Sequence, residues 1–415
     1  MLKRTARDIR RQNRFEVLQS TYAAGEHVSR QQIATATGLS TATVANLTGE
    51  LLDVGVLVEV GREDSGGGRP RARLAINAER GLLVGVDVSE DFVHLELYDL
   101  AMNALRTVER RMDPQGSSPS DVVEHITLGV EDLLATPDVD PDRVLGIGVS
   151  LPGLVEREGG VSVLAVYGHW RDVPMKALLA ERLDFPLHVD NPLKASTVAE
   201  LWFGAGRDVD DLAVVTLRTG VGVGVAIDGS LYRGTTNSAG EWGHIILVMD
   251  GRTCRCGNRG CVEAYVGASG ILQTLRETDP DHPILTIDDQ ITAIEAIADA
   301  ARRHDPVAER VIEETGRYLG AAVATLINML NPTRIVLGDW VADRLGEPLL
   351  TATRDAAAHY ALDQPFGAVT LSLSELPDNP VCLGTATFAL EGFLNDLTAH
   401  AGRFPARPTA RALTR

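Results

Sequence analysis

Apolar positions in the first 55 residues recur at helical spacing. In the segment 13–24 they share one side of a predicted helix: Phe15, Val17, Leu18 and Tyr22. Ser29 is placed to begin a second helix, which Gly38 ends. Ser40 is placed to cap a third helix, which ends at Gly55. Three short helices with a tight Gly-Leu-Ser turn predict a helix-turn-helix unit, whose third helix enters a DNA major groove.

Two predicted strands follow, at 56–60 and 71–76, and the glycine- and arginine-rich loop between them indicates a winged variant. The first turn of the third helix carries small polar residues, the candidates for base contacts: Thr41, Thr43 and Asn46. The wing supplies candidates for phosphate or minor-groove contacts: Arg69, Arg71 and Arg73. The same three helices would also suit a protein-docking module, which is the alternative for this segment.

From residue 81 onward predicted strands alternate with predicted helices, which favours an α/β architecture. The first two strands are expected at G-L-L-V-G-V-D-V-S and F-V-H-L-E-L-Y-D-L, and a helix is expected near 118–135. The remainder is mostly helical and is interrupted by R-I-V-L-G-D-W. We therefore divide the chain into a DNA-binding domain at 1–80, an α/β domain at 81–398 and a flexible tail at 399–415.

Composition restricts the compartment and the surface that can meet nucleic acid. The 415 residues are 44% hydrophobic, and no apolar run approaches the roughly 20 residues that span a bilayer. The N-terminus lacks a signal-peptide stretch and only one cysteine lies outside a cluster, so we expect a reduced, cytoplasmic protein without a membrane partner. Residues 1–80 hold 12 Lys or Arg against 9 Asp or Glu, within a net charge of −18. An acidic body leaves the N-terminal segment to contact DNA.

Three of the four cysteines lie close to a histidine between Gly240 and Tyr265. The cluster offers one imidazole nitrogen and three thiolates: His244, Cys254, Cys256 and Cys261. This is a ligand set of closed, tetrahedral structural zinc sites. Glu241 and Glu263 lie in the same segment, which therefore predicts a metal-stabilised pocket for a polar ligand. The alternative is a set of buried, reduced cysteines beside a capping histidine.

These segments together resemble the ROK family, the group of repressors, open reading frames and sugar kinases. The resemblance runs from about residue 10 to 395, and its most specific motifs are G-E-W-G-H and C-R-C-G-N-R-G-C-V-E. Further matches are S-L-P-G, H-W-R-D-V-P, T-G-V-G-V-G and N-P-T-R-I-V-L-G. The resemblance implies a two-lobed, actin-like (ribonuclease H-like) ATPase fold behind a winged helix-turn-helix domain. It also implies a sugar cleft between the lobes and assembly as a homodimer or tetramer.

The resemblance also implies which residues hold a sugar: Asn191, Glu241, His244 and Glu263. Carboxylates and amides suit hydroxyl groups, which both donate and accept hydrogen bonds, and a dry cleft makes each paired bond count. One ring nitrogen of His244 can bind zinc while the other meets a hydroxyl, so the metal would fix the ring's orientation. The alternative for the two glutamates is support of the zinc ligands.

Three departures from the family pattern predict a protein that is not an enzyme. Where ROK kinases have the phosphate loop D-x-G-G-T, this chain has D-V-S-E-D at 87–91. Pro192 replaces the family's catalytic Asp, and Asp190 lies too far away to replace that base. The adenosine turn L-G-G-G is replaced by L-G-D-W at 337–340, and Arg218 replaces a small residue before T-G-V-G. Together they indicate that phosphoryl transfer has been lost.

The sequence therefore predicts a DNA-binding transcriptional regulator, a repressor of carbohydrate uptake or metabolism genes. Its operator binding would respond to a sugar or sugar phosphate in the cleft, and Lys194 is the residue that would favour a phosphate. Structural Zn²⁺ would stabilise the loop that carries the sugar contacts. One alternative is a regulator whose cleft is vestigial and whose body docks a regulatory protein. An active sugar kinase is the least favoured alternative.

Overall fold

The computed structural model describes residues 6–63, 71–113, 117–165, 170–376 and 379–396. Its N-terminal unit contains three helices: α1 (Ala6–Ala23), α2 (Arg30–Thr37) and α3 (Thr41–Asp53). Three strands form an antiparallel sheet in the order β1-β3-β2: β1 (Val28–Ser29), β2 (Leu57–Glu63) and β3 (Arg71–Ile76). This is the arrangement of a winged helix-turn-helix unit.

The predicted capping residues of α2 and α3 are confirmed, whereas the predicted start of α1 is wrong. Ser29 and Gln32 form a capping box on α2, Gly38 ends that helix with φ of 67°, and Ser40 accepts a hydrogen bond from the Thr43 amide. α1 was expected to begin near residue 13, but it begins at Ala6. Its first turns are rich in arginine, which favours helix without contributing apolar periodicity.

The first lobe is built on a five-stranded sheet in the order β11-β7-β4-β5-β6. Its strands are β4 (Leu82–Val88), β5 (Phe92–Asp99), β6 (Ala104–Arg111), β7 (Val144–Ser150) and β11 (Leu187–Asp190). A smaller sheet contains β8 (Leu154–Glu156), β9 (Val161–Ala165) and β10 (Trp170–Val173). Two helices complete the lobe: α4 (Pro119–Leu134) and α5 (Met175–Ala180). The strands β11, β7 and β4 are parallel, and β5 and β6 extend the sheet as antiparallel neighbours.

The second lobe contains another five-stranded sheet, in the order β14-β13-β12-β15-β16. Its strands are β12 (Leu212–Leu217), β13 (Val221–Ile227), β14 (Ser230–Tyr232), β15 (Arg334–Gly338) and β16 (Thr370–Leu373). Its helices are α7 (Glu263–Val266), α8 (Ala268–Thr278), α9 (Gln290–Arg302), α10 (Pro306–Leu330), α11 (Trp340–Tyr360) and α12 (Asp363–Ala368). The two sheets repeat one topology, as the actin-like fold requires.

Two helices connect the lobes. α6 (Pro192–Phe203) follows β11 of the first lobe and leads to β12 of the second, whereas α13 (Pro380–Asp396) returns from β16 and packs on the first sheet. They lie against each other because Gly384 lacks a side chain: a Cβ there would come within 1.9 Å of the Ala195 carbonyl oxygen. One hydrophobic core contains residues of both connecting helices and of the N-terminal unit.

The predicted fold class is confirmed, and the predicted domain limits remain predictions. The limit between residues 80 and 81 falls at the end of the 3₁₀ turn Ala78–Arg80. The predicted tail at 399–415 lies outside the described residues. Within the part of the chain that the structure describes, no helix is both long enough and apolar enough to cross a membrane.

Candidate functional site

The four predicted metal ligands meet at one point of the second lobe. Their ligand atoms all lie within 4.8 Å of one another: His244, Cys254, Cys256 and Cys261. His244 Nδ1 lies 3.7 Å from Cys254 Sγ, and the sulfurs of Cys256 and Cys261 are 3.8 Å apart. Tetrahedral zinc, with bonds of about 2.3 Å to sulfur and about 2.0 Å to nitrogen, has edges of about 3.6–3.8 Å. These two measured edges therefore match a tetrahedral ion.

Three of the four grouped side chains are thiols, which bind a metal ion as thiolates. Burial raises the pKa of the Cys254 and Cys261 thiols, so both would keep their protons at neutral pH without a cation. A bound metal ion displaces such protons and converts thiols into thiolate ligands. The loop backbone turns tightly enough to bring the ligands together, since Gly257 and Gly260 have φ of 94° and 82°. A Cβ at Gly260 would lie 1.7 Å from the Val248 carbonyl oxygen.

A cavity of about 180 Å³ opens between the lobes beside the metal cluster. All four predicted sugar-binding residues line it: Asn191, Glu241, His244 and Glu263. A larger cavity of about 1160 Å³ lies among α9, α10 and α11, and none of these residues lines it. The smaller cavity is therefore the candidate sugar site.

The polar side chains of the cavity differ in how many hydrogen bonds they already form within the protein. The Asn191 side chain caps α6 by accepting from the Lys194 amide at 3.2 Å, and it donates to the Gly153 carbonyl at 3.3 Å. Glu263 Oε2 accepts from the Val221 amide at 3.1 Å, and Glu263 Oε1 accepts from the thiol of Cys254, a predicted metal ligand, at 3.5 Å, which is the kind of contact that the supporting role requires. Burial raises the pKa of Glu241. Among the described residues none donates a hydrogen bond to the Glu241 carboxylate, so this lining group is the one most available to a ligand.

Lys194 does not serve the cavity, contrary to its predicted preference for a phosphorylated sugar. It is not among the lining residues, and its Nζ donates to the Ala239 carbonyl at 2.6 Å. Pro192 and Leu193 reach the cavity instead and give that wall an apolar surface. The turn from β11 into α6 therefore presents the asparagine and the proline, and it directs the lysine into the protein.

An arginine bridges the lobes at the back of the cavity. Arg218 Nη2 lies 2.8 Å from Asp87 Oδ2 of the first lobe, and its Nε lies 3.1 Å from Asp339 Oδ1 of the second. Both carboxylates are buried. Burial raises the pKa of Asp339 to about 6, although the Arg218 guanidinium acts in the opposite direction. Arg218 thus places a cation where the family pattern has a small residue beside the nucleotide.

The backbone at Asp339 still has the conformation of the glycine that it replaces. Its φ of 76° lies in the region that favours glycine and that costs other residues about 1–3 kcal/mol. The Asp339 carboxylate accepts from the Trp340 amide at 2.8 Å, and Trp340 lines the cavity. The ion pair with Arg218 and this hydrogen bond offset the backbone strain.

Asp190, the alternative base, is fully committed to structure. It forms an ion pair with Arg233, and its Oδ1 accepts from Asn237 Nδ2 and from the Asn191 amide, both at 2.9 Å. It is only 2% exposed. Three protein groups therefore engage the carboxylate, and Asp190 does not line the cavity.

A second interlobe contact lies at the mouth of the cavity, and sequence reasoning missed it. Arg255 Nη1 donates to Glu90 Oε1 at 2.7 Å, and its Nε lies 3.8 Å from Glu263 Oε1. Both partners of the first pair are partly exposed, so we expect the pair to contribute at most about 1 kcal/mol. The signal in the sequence was a basic residue between two predicted metal ligands, opposite an acidic replacement in the phosphate loop.

Among the described residues, the candidate DNA contacts lie on two elements of the N-terminal unit, α3 and β3. Thr41 and Asn46 are exposed on the first turns of α3, while the Thr43 hydroxyl lies 2.8 Å from the Ser40 hydroxyl. Arg71 and Arg73 lie on β3, where Arg71 is exposed and Arg73 is half-buried. The remaining candidate, Arg69, lies outside the described residues.

Comparison with known proteins places this geometry in a family. The xylose repressor of Caldicellulosiruptor bescii is 29% identical over 373 residues, covering 89% of this chain and 93% of the relative. A crystal structure of a ROK family transcriptional regulator, a homolog of the Escherichia coli MLC protein, aligns with a TM-score of 0.76 and 25% identity, covering 94% of this chain and 98% of the other.

A kinase matches only part of the chain. The ROK family glucokinase from Streptomyces griseus, crystallised with glucose and AMPPNP, aligns with a TM-score of 0.65 and 27% identity, covering 75% of this chain and 100% of its own. The regulator thus matches more of this chain than the kinase does. The model of the family described as ROK matches residues 83–391, and the chain belongs to the ROK family.

Proposed function

We propose that the protein is a sugar-responsive, DNA-binding transcriptional repressor of carbohydrate uptake or metabolism genes. The observation that carries the proposal is a cavity lined by Asn191, Glu241, His244 and Glu263 in a chain that also contains a winged helix-turn-helix unit. The similarity to a named xylose repressor extends over both parts of the chain. In this proposal a reduced, cytoplasmic protein binds a pseudo-palindromic operator as a homodimer or tetramer.

The N-terminal unit would read the operator through two sets of contacts. Thr41, Thr43 and Asn46 would meet base edges in the major groove, and Arg69, Arg71 and Arg73 would meet phosphates or the minor groove. Thr41, Asn46 and Arg71 are exposed, which supports this assignment.

We propose that the His244 and cysteine cluster holds a structural Zn²⁺. The identity of the four ligands and the spacing of their ligand atoms support it. The ion would supply a fixed cross-link rather than chemistry, because all four positions of the tetrahedron are taken by protein ligands. His244 and the segment leading to Glu263 would thereby be held at the cavity wall.

The cavity favours a neutral sugar and not phosphoryl transfer. Pro192 cannot act as a base, and Asp190 is engaged by Arg233 and Asn237. Arg218 is paired with Asp87 and Asp339, which disfavours a nucleotide-bound metal ion at these two carboxylates. The cations lining the cavity among the described residues are Arg218 and Arg255, and both already have acidic partners, which disfavours a sugar phosphate. A volume of about 180 Å³ suits a pentose or hexose.

The experiment uses the full chain and a fluorescent duplex from its own upstream region. We expect tight binding that weakens steeply with salt and that D-xylose or D-glucose reduces. Asn46→Ala should weaken DNA binding and leave the sugar-induced rise in melting temperature intact. Glu241→Gln should leave DNA binding intact and reduce the sugar-induced rise in melting temperature. If neither sugar changes the melting temperature or the DNA affinity, the sensing function is wrong, and a protein-docking body becomes the better account.

A further inference from the structure

Helix α6 reaches from the candidate sugar site to the DNA-binding unit. Its N-terminal end is formed by Asn191 and Pro192, which line the cavity. Its other end is formed by Trp202 and Phe203. Twelve residues at 1.5 Å each make the helix about 18 Å long. One end of a single helix therefore meets the ligand site while the other lies beside α1.

The contact between α6 and α1 is made by four aromatic side chains, which we call the interdomain aromatic cluster: Phe15, Tyr22, Trp202 and Phe203. The Tyr22 ring lies 5.8 Å from the Trp202 ring and 5.5 Å from the Phe203 ring, both edge to face. The Phe15 ring lies 6.3 Å from the Trp202 ring. The Tyr22 hydroxyl donates to the Leu100 carbonyl of the first lobe. Such edge-to-face pairs have defined geometry, so motion of one ring displaces the next.

The second connecting helix ends on the same unit. Arg14 of α1 donates to the Leu394 carbonyl of α13 at 3.1 Å. Arg80 lies over the Phe393 ring at 5.6 Å and donates to the Val54 carbonyl at the end of α3 at 2.9 Å. Both connections between the lobes therefore terminate against the DNA-binding unit.

α6 is closely packed along most of its length. Every residue from Lys194 to Trp202 is buried. A Cβ on Gly384 of α13 would lie 1.9 Å from the Ala195 carbonyl oxygen, and a Cβ on Gly224 of β13 would lie 1.5 Å from Thr197 Oγ1. Interfaces this close transmit displacement, because packed interiors repack between discrete arrangements and do not deform continuously. A rotation of 10° would move the far end of such a helix by about 3 Å.

We propose that the interdomain aromatic cluster transmits the sugar signal to the DNA-binding unit. The proposal rests on the proposed sugar-sensing function, and it names the contact through which that function operates. Ligand at Asn191 changes the angle between the lobes, α6 turns with it, and Tyr22 follows Trp202 and Phe203. Tyr22 is thus a positioning residue: it contacts neither sugar nor DNA.

The test is the coupling ratio of the full chain, the DNA Kd at saturating D-xylose divided by the DNA Kd without sugar. We expect Tyr22→Leu to reduce this ratio to below about 3, from a wild-type value of about 5–150 that is typical of allosteric proteins. Its D-xylose Kd in the absence of DNA should stay within about twofold of wild type. Tyr22→Phe keeps the ring and should keep the wild-type ratio.

A matched control separates transmission from general weakening. Tyr318→Leu is the same substitution at another half-buried tyrosine, whose ring lies 4.5 Å from the buried Tyr265 ring in the second lobe, and it should leave the ratio unchanged. Hydrogen exchange of the wild-type protein needs no variant: D-xylose should alter amide protection in α1, although α1 does not line the cavity.

The outcomes separate failure of this proposal from failure of the proposed sugar-sensing function. If wild type responds to D-xylose and Tyr22→Leu responds equally, or if α1 exchange is unchanged, the aromatic cluster is not the transmitter and the sensing function stands. If wild type shows no response to D-xylose or D-glucose, both proposals fail together.

Discussion

The interlobe bridge offers the sharpest perturbation of this structure. Arg218→Met keeps the length of the side chain and removes its charge, which leaves Asp87 and Asp339 as buried carboxylates without their guanidinium. Asp87 is 0% exposed and Asp339 is 8% exposed. Breaking a buried ion pair by removing one partner costs about 3–5 kcal/mol. We expect a loss of this size at pH 8, seen as a thermal midpoint lowered by at least about 5 °C.

The loss should depend on pH with a defined sign. Burial already holds the pKa of Asp339 at about 6 with Arg218 present, and removal of the cation raises it further. An acid whose native pKa exceeds its unfolded value of about 3.9 holds more protons in the native state, so stability falls as pH rises through that window. The deficit of Arg218→Met relative to wild type should therefore be larger at pH 8 than at pH 5.5.

Differential scanning calorimetry at the two pH values measures both effects. Adding Asp339→Gly to Arg218→Met should recover part of the loss, because it removes an unpaired charge and restores glycine where φ is 76°. Arg317→Met, which breaks an exposed pair with Glu314, is the matched control and should change the midpoint little. A variant as stable as wild type at pH 8, or a deficit that grows on acidification, would refute the reasoning.

The remaining predictions concern zinc, acid stability and the lost chemistry. Cys261→Ser should lower bound zinc, measured by elemental analysis, from about one ion per chain to near zero, and it should abolish the sugar-induced rise in melting temperature. The control Cys382→Ala should keep the ion. Equal zinc contents in the two variants would contradict the assigned cluster. Burial lowers the pKa of His188 to about 4, so stability is lost as pH falls from 6.5 towards 4, by up to about 1.4 kcal/mol per pH unit. His188→Gln should reduce this dependence of stability on pH in thermal melts. An unchanged dependence would mean that another group causes it. Pro192→Asp should not restore ATP-dependent phosphorylation of D-glucose in a coupled assay, because Arg218 still pairs with Asp87. Measurable turnover would contradict this and would show that the proline alone had removed the kinase activity.

Local signals in the sequence predicted the helix caps and the metal cluster. Ser29, Gly38 and Ser40 act on residues within a few positions, so their roles can be inferred without tertiary structure. The cysteine spacing likewise predicted the grouping with His244, because glycines between the ligands allow a short loop to turn back on itself. The family pattern supplied the grouping of Asn191 with Glu241, which lies on the other lobe.

Long-range partners could not be predicted in this way. Arg218 was recognised as a departure from the family pattern, but its two partners are distant in sequence and meet it only when the lobes come together. The pair of Arg255 with Glu90 was missed for the same reason. Lys194 was assigned to the cavity because of its position beside Pro192, and the first turn of α6 directs it towards the Ala239 carbonyl.

The central claim is that one chain couples sugar binding to operator binding. Calorimetric titration of D-xylose into the full-length protein, alone and saturated with its upstream DNA, tests it most directly. Linkage requires each ligand to change the affinity of the other by the same factor, so a repressor released by sugar should bind D-xylose more weakly when DNA is bound. We predict a sugar Kd raised by at least about fivefold in the complex. Equal sugar affinity with and without DNA would contradict the account.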